Sequence, residues 1–509
     1  MAQAQSVQTP ASLRSFGLLF GAALFLLLLL LPSPEGLASS GKAVLAIAAL
    51  MAVWWITEAL PIPVTALLPL LLFPLFDVLP IADAAAPYAH HLVFLFLGGF
   101  VLALGVERSG LHRRIALRVI LFVGSSPPRL VLGFMLATAF LSMWISNTAT
   151  VMLMLPIALA VIEQMRPADA AASFPRFAVA MLLGVAYAAS IGGVATLIGT
   201  PPNIVLAGVL SQLYPEAPAI GFVQWMLFGV PIAVIFLPLT WLLLVRVLPT
   251  TRLGGIAIRE SGHDTVSAAM AALGPMRRVE RLVLGVFLLT AAGWIFRSPL
   301  DLGVLRIPGL TDVLPGISDA SVALAAAVLL FLLPGEKASP LFSWTEIQRG
   351  IPWGILLLFG GGFALAEGMQ QSGVTLYFGE ILTRLDGIPL WGMILLTCLL
   401  LTFLTELTSN TATASILIPV MAAASVSLGQ HPLLLMLPAA LNASFAFMLP
   451  VATPPNAIVF SSSWISIRTM AKTGVTLNLV GVFLVTAMMY LLGSSVFGIV
   501  FDLVPSWVP

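Results

Sequence analysis

Charge is what this chain lacks. Only 8% of its 509 residues are charged, while 60% are hydrophobic. So few charges cannot solvate the surface of a soluble protein this apolar, and a polytopic membrane protein is implied instead. Cysteine is nearly absent. The single copy, Cys398, rules out an internal disulfide and lies in an apolar run, where a small buried side chain is expected. There is no basic arm, and a net charge of +1 gives no sign of a nucleic-acid partner. The apolar runs are continuous rather than alternating, which argues against a membrane β-barrel.

What remains is a series of long apolar runs. The first, Phe16–Leu31, follows Arg14 and precedes a loose cleavage-like "LASS" at 37–40. It is long for a signal peptide and reads as a retained first span. The runs 130–161 and 389–428 are too long for one span and too short for two with a turn, since a span needs about 20 residues. Each reads as a re-entrant hairpin of two half-length helices. The expected fold is an all-α polytopic membrane protein with about 11 transmembrane helices plus two re-entrant helical hairpins in two inverted repeats. Residues 1–40 hold an N-terminal tail and the first helix. Residues 41–250 form the first repeat, 251–281 a cytoplasmic loop and 282–509 the second repeat.

The repeat rests on register. "GGFVLALGVERSG" at 98–110 matches "GGFALAEGMQQSG" at 361–373, 263 residues on. "SNTAT" at Ser146–Thr150 recurs at Ser409–Thr413 with the same spacing, as do Pro156 and Pro419. "TPPN" at 200–203 recurs at 453–456, a spacing of 253, so about ten residues are missing between the motifs of the second copy. The bias of Lys and Arg among the connections places the N-terminus in the cytoplasm and the C-terminus outside. It sets the first hairpin on the cytoplasmic side and the second on the outer side, so the repeats are inverted, as in many secondary transporters.

The motifs specify a chemistry. Ser, Asn and Thr satisfy free backbone groups where one helix ends and another begins, so one SNT alone is explained as a cap. Two copies at fixed spacing, each paired with a proline break at 199–203 or 452–456, point further, to discontinuous helices around a substrate. The four motifs contain no Arg, Lys, Asp, Glu or His. Hydroxyls, Asn oxygens and loose carbonyls suit a hard cation such as Na⁺, and amide N–H₂ groups with helix N-termini suit an oxyanion. An anion is costly to dehydrate in a neutral pocket unless cations accompany it. Binding of both together, and hence cotransport, is the expected outcome.

These motifs, with "SIGGVATLIGTPPN" at 190–203 and "ASFAFMLPVATPPNAIV" at 443–459, resemble the divalent anion/sodium symporter family. "FLTELTSNTAT" and "PWGILLLFGGGFALA" are similar to its sodium:dicarboxylate branch. The resemblance spans about residues 40–490. It implies that Asn147, Thr148, Asn410 and Thr411 hold the substrate carboxylates, and that Thr200, Thr453 and Pro454 line the pocket. It implies one sodium site at Ser142, Ser146, Asn147 and Gly199, and a second at Thr405, Thr408, Asn410 and Ala452, the latter partly through backbone oxygens. Na⁺ is then the co-transported ion, with no organic cofactor. The implied assembly is a homodimer in the lipid bilayer of a bacterial cytoplasmic membrane, and the implied motion is an elevator. A C4-dicarboxylate such as succinate, malate or fumarate is the expected substrate, with citrate and sulfate open. A sodium-independent dicarboxylate exchanger or an anion channel would use the same groups. No nucleophile–base pair or metal cluster speaks for an enzyme.

Other polar residues in apolar surroundings invite a role. Glu58 and Glu406 lie at or near membrane depth, where acids are costly. Glu406 adjoins Thr405 and either tunes the second ion site or pairs with a hydroxyl or backbone group. His90 and His91 lack companion ligands and read as a loop entry. Arg113, Arg114 and Arg118 read as an interfacial helix.

Overall fold

The computed structural model describes residues 11–124, 126–166, 174–248, 251, 253, 262–301, 306–335, 340–377 and 388–508. The tail 1–10, residues 252 and 254–261 of the expected loop 251–281, and the stretch 378–387 lie outside the described residues. The chain is helical almost throughout. One two-stranded antiparallel ribbon, pairing Leu300–Asp301 with Arg306–Ile307, is the small departure from an all-α fold.

Among the described residues, eight helices are long and apolar enough to cross a bilayer unaided. A further span is bent by 59° between Trp344–Gly350 and Trp353–Gln371. The remaining apolar helices are shorter than a bilayer is thick, such as Asp319–Leu332. When each interrupted helix is taken as one, the order is four spans, a hairpin, five spans, a second hairpin and two spans.

Both hairpins follow from their sequences. The first has arms Pro127–Ser142 and Asn147–Gln164; the second has Leu390–Thr405 and Asn410–Ser427. Prolines open each first arm, where a missing N–H costs nothing. Four residues separate the arms in each case; Ser146 and Ser409 stand at the N-cap of the second arm, and of the two only the Ser146 side chain accepts from a helix N–H.

The broken helices differ from expectation in one respect. The first runs Phe174–Gly193 and resumes at Pro201–Leu213; the second runs Leu433–Asn442 and resumes at Pro454–Phe460. The interruptions are 194–200 and 443–453, just ahead of the proline pairs rather than on them. The reason is that Pro201–Pro202 and Pro454–Pro455 occupy the first turn of the following helix, where proline is favoured.

The repeats are interleaved. Pro201–Leu213 of the first packs on the Asn410–Ser427 arm of the second, and Pro454–Phe460 of the second packs on Asn147–Gln164 of the first. That crossing brings two hairpin tips and two helix breaks to one place. The first tip is anchored sideways: Trp144 meets Phe287 edge-on at 4.9 Å and lies nearly parallel to Trp294 at 6.3 Å.

Away from the tips, Glu58 is exposed in a turn with φ +47°. His90 caps the helix His91–Ser109. Of the three arginines on Leu111–Val123, Arg113 and Arg118 are exposed as expected of an interfacial helix. Arg114 turns inward instead, pairing with buried Glu280 at 3.1 Å and donating to the carbonyls of Leu273, Gly274 and Pro275.

Candidate functional site

Each hairpin tip places a hydroxyl on an asparagine. Ser142 Oγ donates to Asn147 Oδ1 at 2.5 Å. At the repeat position, Thr405 Oγ1 lies 2.7 Å from Asn410 Oδ1 and 2.8 Å from the Ala443 carbonyl. Both hydroxyls are buried and both asparagines are half-buried at the first position of a helix. In each pair the Asn oxygen keeps a second lone pair, and its N–H₂ group is a separate donor.

The breaks supply carbonyls. In an unbroken helix the Gly199 carbonyl would accept from residues 202 or 203. Residue 202 is proline, and the Asn203 N–H is used by the Thr200 carbonyl at 3.2 Å. Likewise residue 455 is proline, and the Asn456 N–H goes to Thr453 Oγ1 at 3.3 Å, which leaves the Ala452 carbonyl without a helical donor. Near Gly193 the first set converges: a Cβ added there would lie 2.7 Å from Asn147 Oδ1 and 3.2 Å from the Gly199 oxygen. Glycine is therefore required at 193 by close approach, and Ser142, Asn147 and Gly199 present oxygens to one small space.

The other expected residues are placed less uniformly. Ser146 is exposed; its hydroxyl accepts from the Ala149 N–H and its carbonyl from the Thr150 N–H, so both oxygens already carry capping bonds. The Thr408 hydroxyl bonds Leu404 and Thr413, which leaves its backbone as the available ligand. Thr148 is half-buried and Thr411 buried at the tips. Thr200 and Thr453 are both buried, but Thr200 meets Ser444 across the repeats at 3.4 Å whereas Thr453 caps its own helix. Pro454 is exposed beside it.

Three groups of residues escape the motif reading. Asn203 and Asn456, the last letters of the two TPPN motifs, are wholly buried and bind the carbonyls of Gly193 and Thr196, and of Ala446 and Leu449. Their recurrence in register is the signal that marks them. Thr196 Oγ1 donates to the Met143 carbonyl at 2.5 Å and so hooks the first break to its hairpin. Glu406 does not pair with a hydroxyl. Its carboxylate accepts from the N–H groups of Phe447, Met448 and Leu449 and from Asn478 Nδ2. Pairing with backbone is one of the roles expected of Glu406; which backbone it holds has no sequence signal, because its repeat position is Met143. Among the described residues no group of three or more His, Cys, Asp or Glu side chains forms a metal cluster.

Comparison with known proteins agrees with the fold. The neighbours among solved structures include the MtrF pump of Neisseria gonorrhoeae, at TM-score 0.58 and 13% identity, covering 93% of this chain and 94% of that one. The YdaH transporter of Alcanivorax borkumensis superposes at TM-score 0.55 and 15% identity, covering 81% of this chain and 87% of that one. At such identities the likeness is one of fold. Sequence relatives include the sodium-dependent dicarboxylate transporter SdcS of Staphylococcus saprophyticus, 43% identical over 490 residues, which are 95% of this chain and 92% of that protein. SdcS of Staphylococcus aureus is 42% identical over the same shares. The profile of the sodium:sulfate symporter transmembrane region matches residues 13–499, and the chain belongs to that family.

Proposed function

We propose that this chain is a secondary transporter that couples uptake of C4-dicarboxylates, such as succinate, malate and fumarate, to Na⁺ entering with them. The observation that carries the reading is the duplicated tip. In each copy a buried hydroxyl orients an Asn side chain and a proline pair frees a carbonyl, and in the first copy the Asn and that carbonyl converge at Gly193. Ser142, Ser146, Asn147 and Gly199 hold one Na⁺; Thr405, Thr408, Asn410 and Ala452 hold the other. Asn147, Thr148, Asn410 and Thr411 receive the two carboxylates, with Thr200, Thr453 and Pro454 as the walls. Each Asn turns its oxygen toward a cation and its N–H₂ toward a carboxylate. The two cations offset the charge of the dianion, which the neutral motif residues cannot do. The names of the staphylococcal relatives support both sodium and dicarboxylate.

The two repeats, 41–250 and 282–509, face each other from opposite sides of the bacterial cytoplasmic membrane, with the N-terminus inside and the C-terminus outside. The tips and breaks move together as one block against the remaining spans of a homodimer, an elevator motion. Succinate uptake into proteoliposomes with and without a Na⁺ gradient tests the reading. Accumulation that requires inward Na⁺ is expected. Uptake indifferent to Na⁺ and dependent on internal dicarboxylate overturns it in favour of exchange. Competition by malate, 2-oxoglutarate, citrate and sulfate then ranks the substrates, and sulfate competing better than malate rejects the C4 assignment.

A further inference from the structure

The two TPPN asparagines share a geometry that their role as motif letters does not explain. Asn203 Nδ2 lies 3.3 Å from the Gly193 carbonyl and 2.7 Å from that of Thr196. Asn456 Nδ2 lies 3.0 Å from the carbonyls of both Ala446 and Leu449. The four carbonyls are repeat mates, each pair 253 residues apart. Only the N–H₂ end of the amide can donate to two carbonyls, so the orientation of each side chain is fixed by chemistry. The consequence is that both Oδ1 atoms are buried without a hydrogen-bond partner. A buried unsatisfied acceptor is destabilising, and here it is tolerated twice in register.

What the arrangement achieves is selection among carbonyls. A helix that stops short of a proline pair releases several carbonyls at once, and every one of them competes for a cation. The Thr196 and Leu449 carbonyls accept from the N–H of Gly199 and Ala452 as well as from the Asn amide. They are thereby taken out of competition, and the bend that aims residues 199 and 452 is held closed. At the first break the Gly199 oxygen then faces the Asn147 side chain across Gly193.

We propose that Asn203 and Asn456 are the positioning residues of the two cation sites: each locks the carbonyls ahead of its proline pair and leaves the carbonyl at 199 or 452 as the ligand. The proposal rests on the sodium reading above, so its test separates the two. Purified protein is titrated with NaCl against choline chloride, without dicarboxylate, and the unfolding temperature is followed, since an ion that binds only the folded state raises it. No rise in the wild type overturns the sodium reading. With a rise in the wild type, Asn203→Leu and Asn456→Leu roughly keep the side-chain size, lose both donors and add no charge beside the cation. Each is expected to shift the half-saturating Na⁺ concentration upward about tenfold, the scale of a lost hydrogen bond or two. The sodium-free protein should stay folded, with an unfolding temperature lowered only by the loss of those buried hydrogen bonds. Asn203→Ser and Asn456→Ser, smaller and polar, take their place if the leucine variants do not fold. An unmoved half-saturation overturns the proposal. So does collapse of the sodium-free fold in all four variants, because that is the signature of a purely structural strut.

Discussion

Thr196 ties the first break to its hairpin through one hydroxyl; Glu406 ties the second through a carboxylate that gathers three backbone N–H groups and an amide. The two units descend from one pattern and are built unequally. The helix ahead of the first break has 20 residues and the gap is 194–200; the helix ahead of the second has 10 and the gap is 443–453. A longer irregular stretch exposes more backbone groups that need partners at membrane depth. Glu406 meets that need for the N–H groups of residues 447–449, and the Asn456 amide meets it for the carbonyls of Ala446 and Leu449. The first gap is short enough to close with glycines, at 193 and 199, where the second has Ala446 and Ala452. The same oxygens are thus presented by tight backbone approach in one unit and by a buried charge in the other.

The largest expected effect removes what the two units share. Asn147→Ala and Asn410→Ala should each abolish Na⁺-driven succinate uptake while leaving folded protein, because each Asn serves a cation and a carboxylate. Near-normal transport by either variant, with reconstitution matched to wild type, breaks the equivalence of the tips. Next comes a change that strikes one unit only. Glu406→Gln keeps the shape but points N–H₂ toward N–H donors and leaves buried groups unpaired. A loss of about 3 kcal/mol of stability or more is expected from at least two orphaned groups. Met143→Leu at the repeat position should be nearly silent, since only the Met143 backbone carbonyl is used there. Thermal unfolding in detergent measures both, and a silent Glu406→Gln refutes the charge as a structural tie.

A third comparison concerns space. Gly193→Ala forces a Cβ to within 2.7 Å of Asn147 Oδ1. Uptake should fall by about tenfold or more, the equivalent of roughly 1.4 kcal/mol. Ala446→Gly removes a methyl and adds backbone freedom, at about 1 kcal/mol or less. If both substitutions act alike, close approach is not what distinguishes the first unit.

How much of this the sequence discloses depends on whether a residue repeats. SNT, TPPN and the glycine-rich motifs stand in register, so the hairpins and breaks are legible as architecture. Ser142 and Thr405 keep their hydroxyls at the same spacing and are legible as a pair. The ends of the breaks are not, because proline marks where a helix cannot continue and equally where the next one starts. Thr196 is invisible for a deeper reason: its repeat mate, Leu449, has different chemistry, and the tie it makes is to backbone. Glu406 is legible as a costly acid in need of partners, but its repeat mate, Met143, gives no clue to which backbone it holds. Arg114 falls in a run of three arginines whose helical spacing puts two outward and one inward. Which one turns in is decided by Glu280, 166 residues away, and not by local pattern.

The smallest effect is the sharpest test of whether the units are independent. Thr196→Val removes one hydroxyl and keeps the shape, so the Met143 carbonyl loses one donor. A cost of about 1 kcal/mol is expected. If the two ties support separate units, the cost adds to that of Glu406→Gln within about 0.5 kcal/mol. There is one reason to look for a departure. Thr200 and Ser444 face each other at 3.4 Å, and Tyr187 donates to the Phe447 carbonyl, so the first broken helix touches the second gap at two points. Phe447 is also the first N–H that Glu406 holds. A double variant less destabilised than the sum shows that loosening one break already loosens the other, and the pair then behaves as one cooperative element. Strict additivity shows instead that each repeat holds its own break, and that the site is shared by two separately built halves.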